Sequence, residues 1–228
     1  MMDLEILYQD EHFVVINKPH GLLVHRSKIA TNADVYALQL LRDQIGQKVY
    51  PVHRLDRKTS GILVFALSPE NNTLLQSQFA ENHIKKTYLS IVRGFTPDNE
   101  TIDYALTNDS GKTQEAVTSY STVKKTEINV PLGKFPTSRY SLIEVKPTTG
   151  RFHQIRKHMA HVFHPIIGDR PHGCNKQNKL FKEKWNMNTM MLHANELEFT
   201  HPVNNELIRI NAPIHSEFER TLGFLQLN

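Results

Sequence analysis

Cysteine is almost missing from this chain. Cys174 is the only one among 228 residues, so an internal disulfide is impossible and a zinc site built on several cysteines is excluded. Long hydrophobic runs are missing as well. The longest apolar stretches, "FVVI" at 13–16 and "ILVFAL" at 62–67, fall far short of the roughly 20 residues a membrane-spanning helix needs. The opening residues "MMDLEILYQDEH" are acidic and strand-like, without the basic-then-apolar pattern of a secretory signal. No HExxH segment and no Gly-rich phosphate loop occurs. Repeats and low-complexity linkers are also lacking. These absences together predict a cytoplasmic protein with no membrane partner.

The composition that is present suits a globular chain. Hydrophobic residues make up 39% and charged residues 22%, which is ordinary for a domain with a full core. The net charge is a modest +4, but Lys134–Lys184 holds 11 Lys/Arg against three acids, and the rest of the chain is net acidic. A local basic excess on a compact domain suits a polyanion partner; a solvated lysine-rich loop is the equally weighted alternative for Lys176–Lys184.

Apolar periodicity gives mixed α and β structure. Strands are expected at Leu4–Tyr8, His12–Asn17, Val49–Leu55, Ile62–Leu67, Lys85–Arg93, Ala116–Lys124, Arg139–Lys146, Leu192–Phe199 and Leu207–Asn211. Helices are expected from a cap near Asn32, from a Ser68 cap with Pro69 in the first turn, and over "RFHQIRKHMAHVF". Asp109–Gln114 reads as a flexible loop. The order is not a regular βαβ alternation, so the expectation is an α+β fold on a mixed, mostly antiparallel sheet flanked by helices, with an active-site cleft across the sheet. One catalytic domain over 1–228, at most divided into two sublobes, accounts for the length.

Three places could carry chemistry. In "HRLDRKTSG" (53–61), Asp56 sits where a short strand meets a turn, flanked by Arg54 and Arg57, which favour its ionised form. Taken alone, an Asx turn is the favoured reading. In the helix after Gly150, Phe152, Ile155, Met159, Val162 and Phe163 form an apolar stripe about 100° wide. Arg156 falls on the edge of that stripe, whereas Lys157 and His161 lie opposite. An inward guanidinium needs an acidic partner, and Asp56 is the expected one; an arginine snorkelling outward over its own stem is the alternative, with the inward reading slightly ahead. His153, His158, His161 and His164 lack metal-ligand spacing, so no metal site is expected. In "KKTYLSIVRG" (85–94), alternation puts Lys86 and Tyr88 on one face, which would suit stacking on a base as well as ordinary cross-strand packing.

"HRLDRKTSG", "KKTYLSIVRG" and "TTGRFHQIRKHMAHVFHPIIGD" in this order and spacing resemble the pseudouridine synthases of the large-ribosomal-subunit/tRNA type. The resemblance extends to "LEILYQDEHFVVINKPHGLLVHRS" and "LHANELEFTHPV", and so spans nearly the whole chain. It implies detachment of uracil from ribose and reattachment through C5, with no cofactor and no metal. It also implies Asp56 as the essential carboxylate, Tyr88 as the residue stacking on the target base, and Arg156 as the arginine paired with the aspartate. Arg54 would fill the space left by an extruded nucleotide. Arg151, with Arg57, His153 and Lys157, would contact RNA. The N-terminal block, "RDQIGQ" and "LGKFPTSRY" look closest to members that modify a uridine in the tRNA acceptor stem, and the small RNA-binding domain that precedes many rRNA-modifying members is expected to be lacking. Structured RNA is thus the expected partner, no protein partner is implied, and a monomer is the simplest assembly. A ribosomal RNA substrate, a relative that binds RNA without catalysis, and an aspartate-dependent hydrolase are the alternatives. The intact Asp56, Tyr88 and Arg156 set argues against the inactive relative. The hydrolase is disfavoured because Arg57 and Lys58 separate the acid from the hydroxyl residues.

Overall fold

The computed structural model describes residues 3–25 and 35–228, and the chain divides into two compact units. The first comprises the residues up to Lys86 together with Ala194–Pro213. Its strands β1 (Glu5–Gln9), β2 (Phe13–Lys18), β3 (Tyr50–Pro51) and β4 (Ser60–Ala66) pair antiparallel, with β2 and β3 on β4 and β1 on β2. "FVVINK" and "SGILVFA" are nearly continuous apolar runs because the two strands lie inside the sheet, buried from Phe13 to Ile16 and along the whole of β4. The helix α1 (Ala37–Ile45) starts at an uncapped Tyr36, and the cap expected near Asn32 lies outside the described residues. The helix α2 (Pro69–Ala80) starts as its sequence predicts, with the Ser68 hydroxyl accepting from the Asn71 amide at 3.2 Å and Pro69 in the first turn. Only Tyr50 and Pro51 of the strand expected over Val49–Leu55 form a ladder; the Val52 amide still donates to the Val64 carbonyl at 3.0 Å, and beyond it the chain turns away into the Asp56 loop.

The second unit comprises Thr87–His193 and Ile214–Asn228. Its strand order is β5 (Lys85–Arg93), β10 (Ser138–Pro147), β9 (Val117–Ile128), β6 (Asn99–Asp103). A two-stranded hairpin, β7 (Leu106–Thr107) with β8 (Thr113–Gln114), occupies part of the expected loop, with Gly111 left-handed between the strands. The helix α3 (Gln154–His161) lays Ile155 and Met159 on a core of Ile91, Val92, Ile143 and Val145. It is shorter than its apolar stripe suggested. His153 before it and Phe163 after it are both left-handed, at φ 57° and 62°, so helical phase does not reach Phe152 or Phe163 and both rings are exposed. Two helices escape the sequence pattern: α4 (Asn175–Trp185), whose lysine-rich surface leaves only Gln177 and Phe181 buried, and α5 (Ser216–Leu225). The strands β11 (Leu192–Thr200) and β12 (Leu207–Asn211) complete the chain order, and from Ala194 onward they belong to the first unit.

In each unit packing demands a glycine at a left-handed position. Gly61 adopts φ +103°, and a Cβ there would stand 2.2 Å from the Ala194 carbonyl oxygen; Gly168, at φ +81°, would put one 2.0 Å from that of Thr189. Neither position admits a side chain without backbone movement. The glycine of "HRLDRKTSG" is therefore set by a strand from the far end of the chain.

Candidate active site

Asp56 lies half-buried on the loop between β3 and β4, where Leu55, Thr59 and Ser60 are buried around it. The Thr59 amide donates to the Asp56 carbonyl at 3.1 Å, closing the turn. The next residue is clamped from outside the loop. The Gly21 amide donates to the Arg57 carbonyl at 2.9 Å, and Arg57 Nε returns a bond to the Gly21 carbonyl at 3.0 Å.

A fully buried lysine completes the clamp. Lys18 Nζ donates to the carbonyls of Pro19 (3.0 Å), Leu22 (2.9 Å) and Arg57 (3.2 Å). Burial pushes its ammonium down from 10.5 to about 7, against the opposing influence of the Asp56 charge. "INKPHG" reads as a strand end and a turn, and nothing in the sequence pattern marks its lysine as internal. Next to Asp56 in the chain, His53 accepts from the Val64 amide at 3.2 Å through Nε2 and stacks on Phe79 at 4.7 Å. Burial drives His53 down from 6.5 to about 4, the Arg54 backbone opposes this, and the Lys86 charge adds to it. His53 is therefore a neutral acceptor that fixes one end of the loop.

Arg54 and Arg57 are both exposed on this loop. Lys86, at the start of β5, holds its ammonium 6.0 Å above the Phe79 ring, and burial lowers its pKa. In the second unit Tyr88 is half-buried against the core, opposite Val145 of β10. Buried Ser90 donates to the Met191 carbonyl at 2.8 Å, so the polar face of β5 is anchored within this unit.

Arg156 is inward and buried, as helical phase predicts. A carboxylate that the sequence reading did not name holds it: Nε and Nη2 each donate at 2.8 Å to the two oxygens of Asp169, whose side chain is almost wholly buried. This fork-to-fork arrangement fixes a guanidinium in plane as well as in charge. Asp169 is held in turn by α4. Asn178 accepts from the Gly168 amide at 2.9 Å and donates to the Asp169 carbonyl at 2.7 Å. Asp169 was missed because a glycine turn, and no helical or strand period, brings it to α3.

The motif "TTGRFHQIR" is locked by Gln154. That buried amide oxygen accepts from the Thr149 hydroxyl at 2.7 Å and the Arg151 amide at 2.9 Å, while its NH₂ donates to the Val117 carbonyl and the Thr118 hydroxyl. Arg151 is exposed and donates through Nε to the Glu115 carbonyl. His153 stacks on Phe152 at 3.7 Å and meets His172 at 3.0 Å. Lys157 stands 5.8 Å over the Phe152 ring. Buried His158 contacts the Thr118 hydroxyl and the Tyr104 carbonyl, both at 2.9 Å. His161 stacks on Tyr104, and His164 meets the Arg93 carbonyl. The four histidines thus serve four separate local purposes. No helix among the described residues is long and apolar enough to cross a membrane.

Residues 12–161, well over half the chain, match the RNA pseudouridylate synthase family, and the chain belongs to that family of isomerases. Among its curated relatives, the tRNA pseudouridine synthase C of Vibrio parahaemolyticus is 48% identical over 96% of this chain and 94% of its own length. That of Vibrio cholerae is 45% identical over 96% and 95%. Among solved structures, human RNA pseudouridylate synthase domain containing 4 superposes with a TM-score of 0.76 at 23% identity, covering 97% of this chain and 93% of its own. It shows the same fold: α+β on a large, mostly antiparallel sheet.

Proposed function

We propose that this protein converts a uridine in the acceptor stem of tRNA to pseudouridine, with Asp56 as the essential carboxylate. The observation that carries the reading is the clamped Asp56 loop, in which a buried ammonium, two arginines and a neutral histidine surround one half-buried acid in a chain of this family. The tRNA substrate is supported by the names of the relatives that match nearly end to end.

The reaction is an isomerisation. The bond from uracil N1 to ribose C1′ breaks, the base turns, and C5 bonds to C1′; the proton lost from C5 is balanced by one gained at N1. Nothing is oxidised and no group leaves. Asp56 must be ionised to act, whether by attack on C1′ or by taking the C2′ proton, and Lys18 fixes the Arg57 carbonyl beside it. A rigid loop matters because a misplacement of about 1 Å can cost a hundredfold in rate. Tyr88 stacks on the base while it turns, and Arg156, oriented by Asp169, pairs with the aspartate as the family resemblance implies. A stem uridine is reachable only if flipped out, which costs a few kcal/mol of unstacking; Arg54 fills the gap. Arg57, Arg151, His153 and Lys157 contact the surrounding RNA.

The test is Asp56→Asn, assayed by pseudouridine mapping on tRNA and by RNA binding. The expected result is loss of product with binding retained; a variant that still turns over removes Asp56 from the chemistry. Mapping total RNA with and without the protein checks the substrate, and a site lost from ribosomal RNA with tRNA unchanged overturns the tRNA assignment.

A further inference from the structure

At the end of α3, Phe163 occupies the left-handed C-terminal position, at φ 62°, that helices usually give to glycine. The amides of Phe163 and His164 close the helix end by donating to the Ala160 and Met159 carbonyls. A bulky residue in this conformation is an outlier, and the ring gains no packing in return, since Phe163 is 86% exposed. Such a combination persists where a ligand uses the side chain.

What surrounds it is cationic and aromatic. His164 contacts the Arg93 carbonyl at 2.9 Å and lies against Gly94. The next residue, Phe95, is 40% exposed and carries the Arg139 guanidinium 5.1 Å above its ring. Arg93 is exposed, and Glu127, 3.2 Å from Arg139, is the carboxylate described against this group. Two exposed rings and two arginines, linked through His164 and Gly94, differ from the contiguous apolar patch that docks proteins. They match the pattern that binds unpaired nucleotides, with aromatic faces for bases and cations for phosphates.

We propose that Phe163 and Phe95 form a stacking site for an unpaired nucleotide of the RNA substrate, with Arg93 and Arg139 on the adjoining phosphates. The proposal rests on the RNA-modifying function argued above. At about 3.3 Å per residue along β5, Arg93 is roughly 17 Å from Tyr88, so an RNA held at the target uridine reaches this edge within a few nucleotides.

Phe163→Gly is the informative variant, because it removes the ring and relieves the backbone together. Its melting temperature should be equal to or above that of the parent, while its Kd for an unmodified tRNA transcript weakens about tenfold, the loss of one stacked base. Phe163→Trp should restore the affinity. A parent protein that modifies the transcript, beside a Phe163→Gly variant that binds it equally well, overturns the stacking site alone. A parent that leaves every tRNA transcript unmodified overturns the tRNA reading underneath it.

Discussion

Among the described residues each of the two units buries one cation, and each surrounds it differently. In the first, three backbone carbonyls surround the Lys18 ammonium. In the second, the Arg156 guanidinium lies in the plane of the Asp169 carboxylate. Carbonyl dipoles solvate a charge without cancelling it, so Lys18 keeps a field that Asp56 feels and a proton that it can lose near neutrality. Asp169 cancels most of the charge on Arg156 and leaves a rigid, permanently ionised fork. The first arrangement pins a loop; the second aims a guanidinium.

The comparison breaks most severely at Asp169. Asp169→Leu removes a bidentate partner of a buried guanidinium, and breaking such a pair costs about 3–5 kcal/mol. Urea unfolding should show that loss, and the double variant Asp169→Leu with Arg156→Met should recover most of it. A single variant of parental stability would mean the pair is not holding the unit together.

Lys18→Met should cost less stability, about 1–2 kcal/mol, because relief from ammonium desolvation offsets three carbonyls left without donors. Its activity should nonetheless fall at least about tenfold, since the Arg57 clamp beside Asp56 is gone. Equal losses of stability in Lys18→Met and Asp169→Leu would erase the distinction between the two cations.

Titration sharpens the contrast further. Between pH 7 and 10.5 unfolded Lys18 holds a proton that the folded chain has released, so parental stability should rise with pH across that window, and Lys18→Met should lose the slope. His53 acts on the acid side. Its folded value of about 4 lies below the unfolded 6.5, so the folded chain binds fewer protons and stability should fall as pH drops from 6.5 to 4. His53→Asn should flatten that limb, the smallest effect of the set.

The same two sites show which features a sequence makes visible. Arg156 could be turned inward from helical phase alone, because α3 is regular where Arg156 sits. Phe152 and Phe163 could not be placed, since the left-handed residues at both ends of α3 interrupt the period. Asp56 was visible as a charged residue beside an apolar strand, but its clamp was not: Lys18 reaches it through the pairing of β2 with β4, a contact between distant segments. Asp169 was invisible for a similar reason, being presented by a glycine turn and braced by a helix whose lysines hide its short apolar face.

The chain path has a consequence for synthesis. Both units are discontinuous: the first awaits Ala194–Pro213 and the second awaits Ile214–Asn228. The strand that packs on Gly61 therefore leaves the ribosome long after Gly61 itself, and at roughly 5–20 residues per second the interval is on the order of 10 s. During that time the β2–β4 ladder exists without its neighbour, with apolar faces and an open strand edge awaiting cover. Until Ala194–Pro213 has been made, a nascent chain has no finished carboxylate loop with which to engage RNA. The Asp56 loop is thus completed by a late strand of its own unit and not by its local sequence.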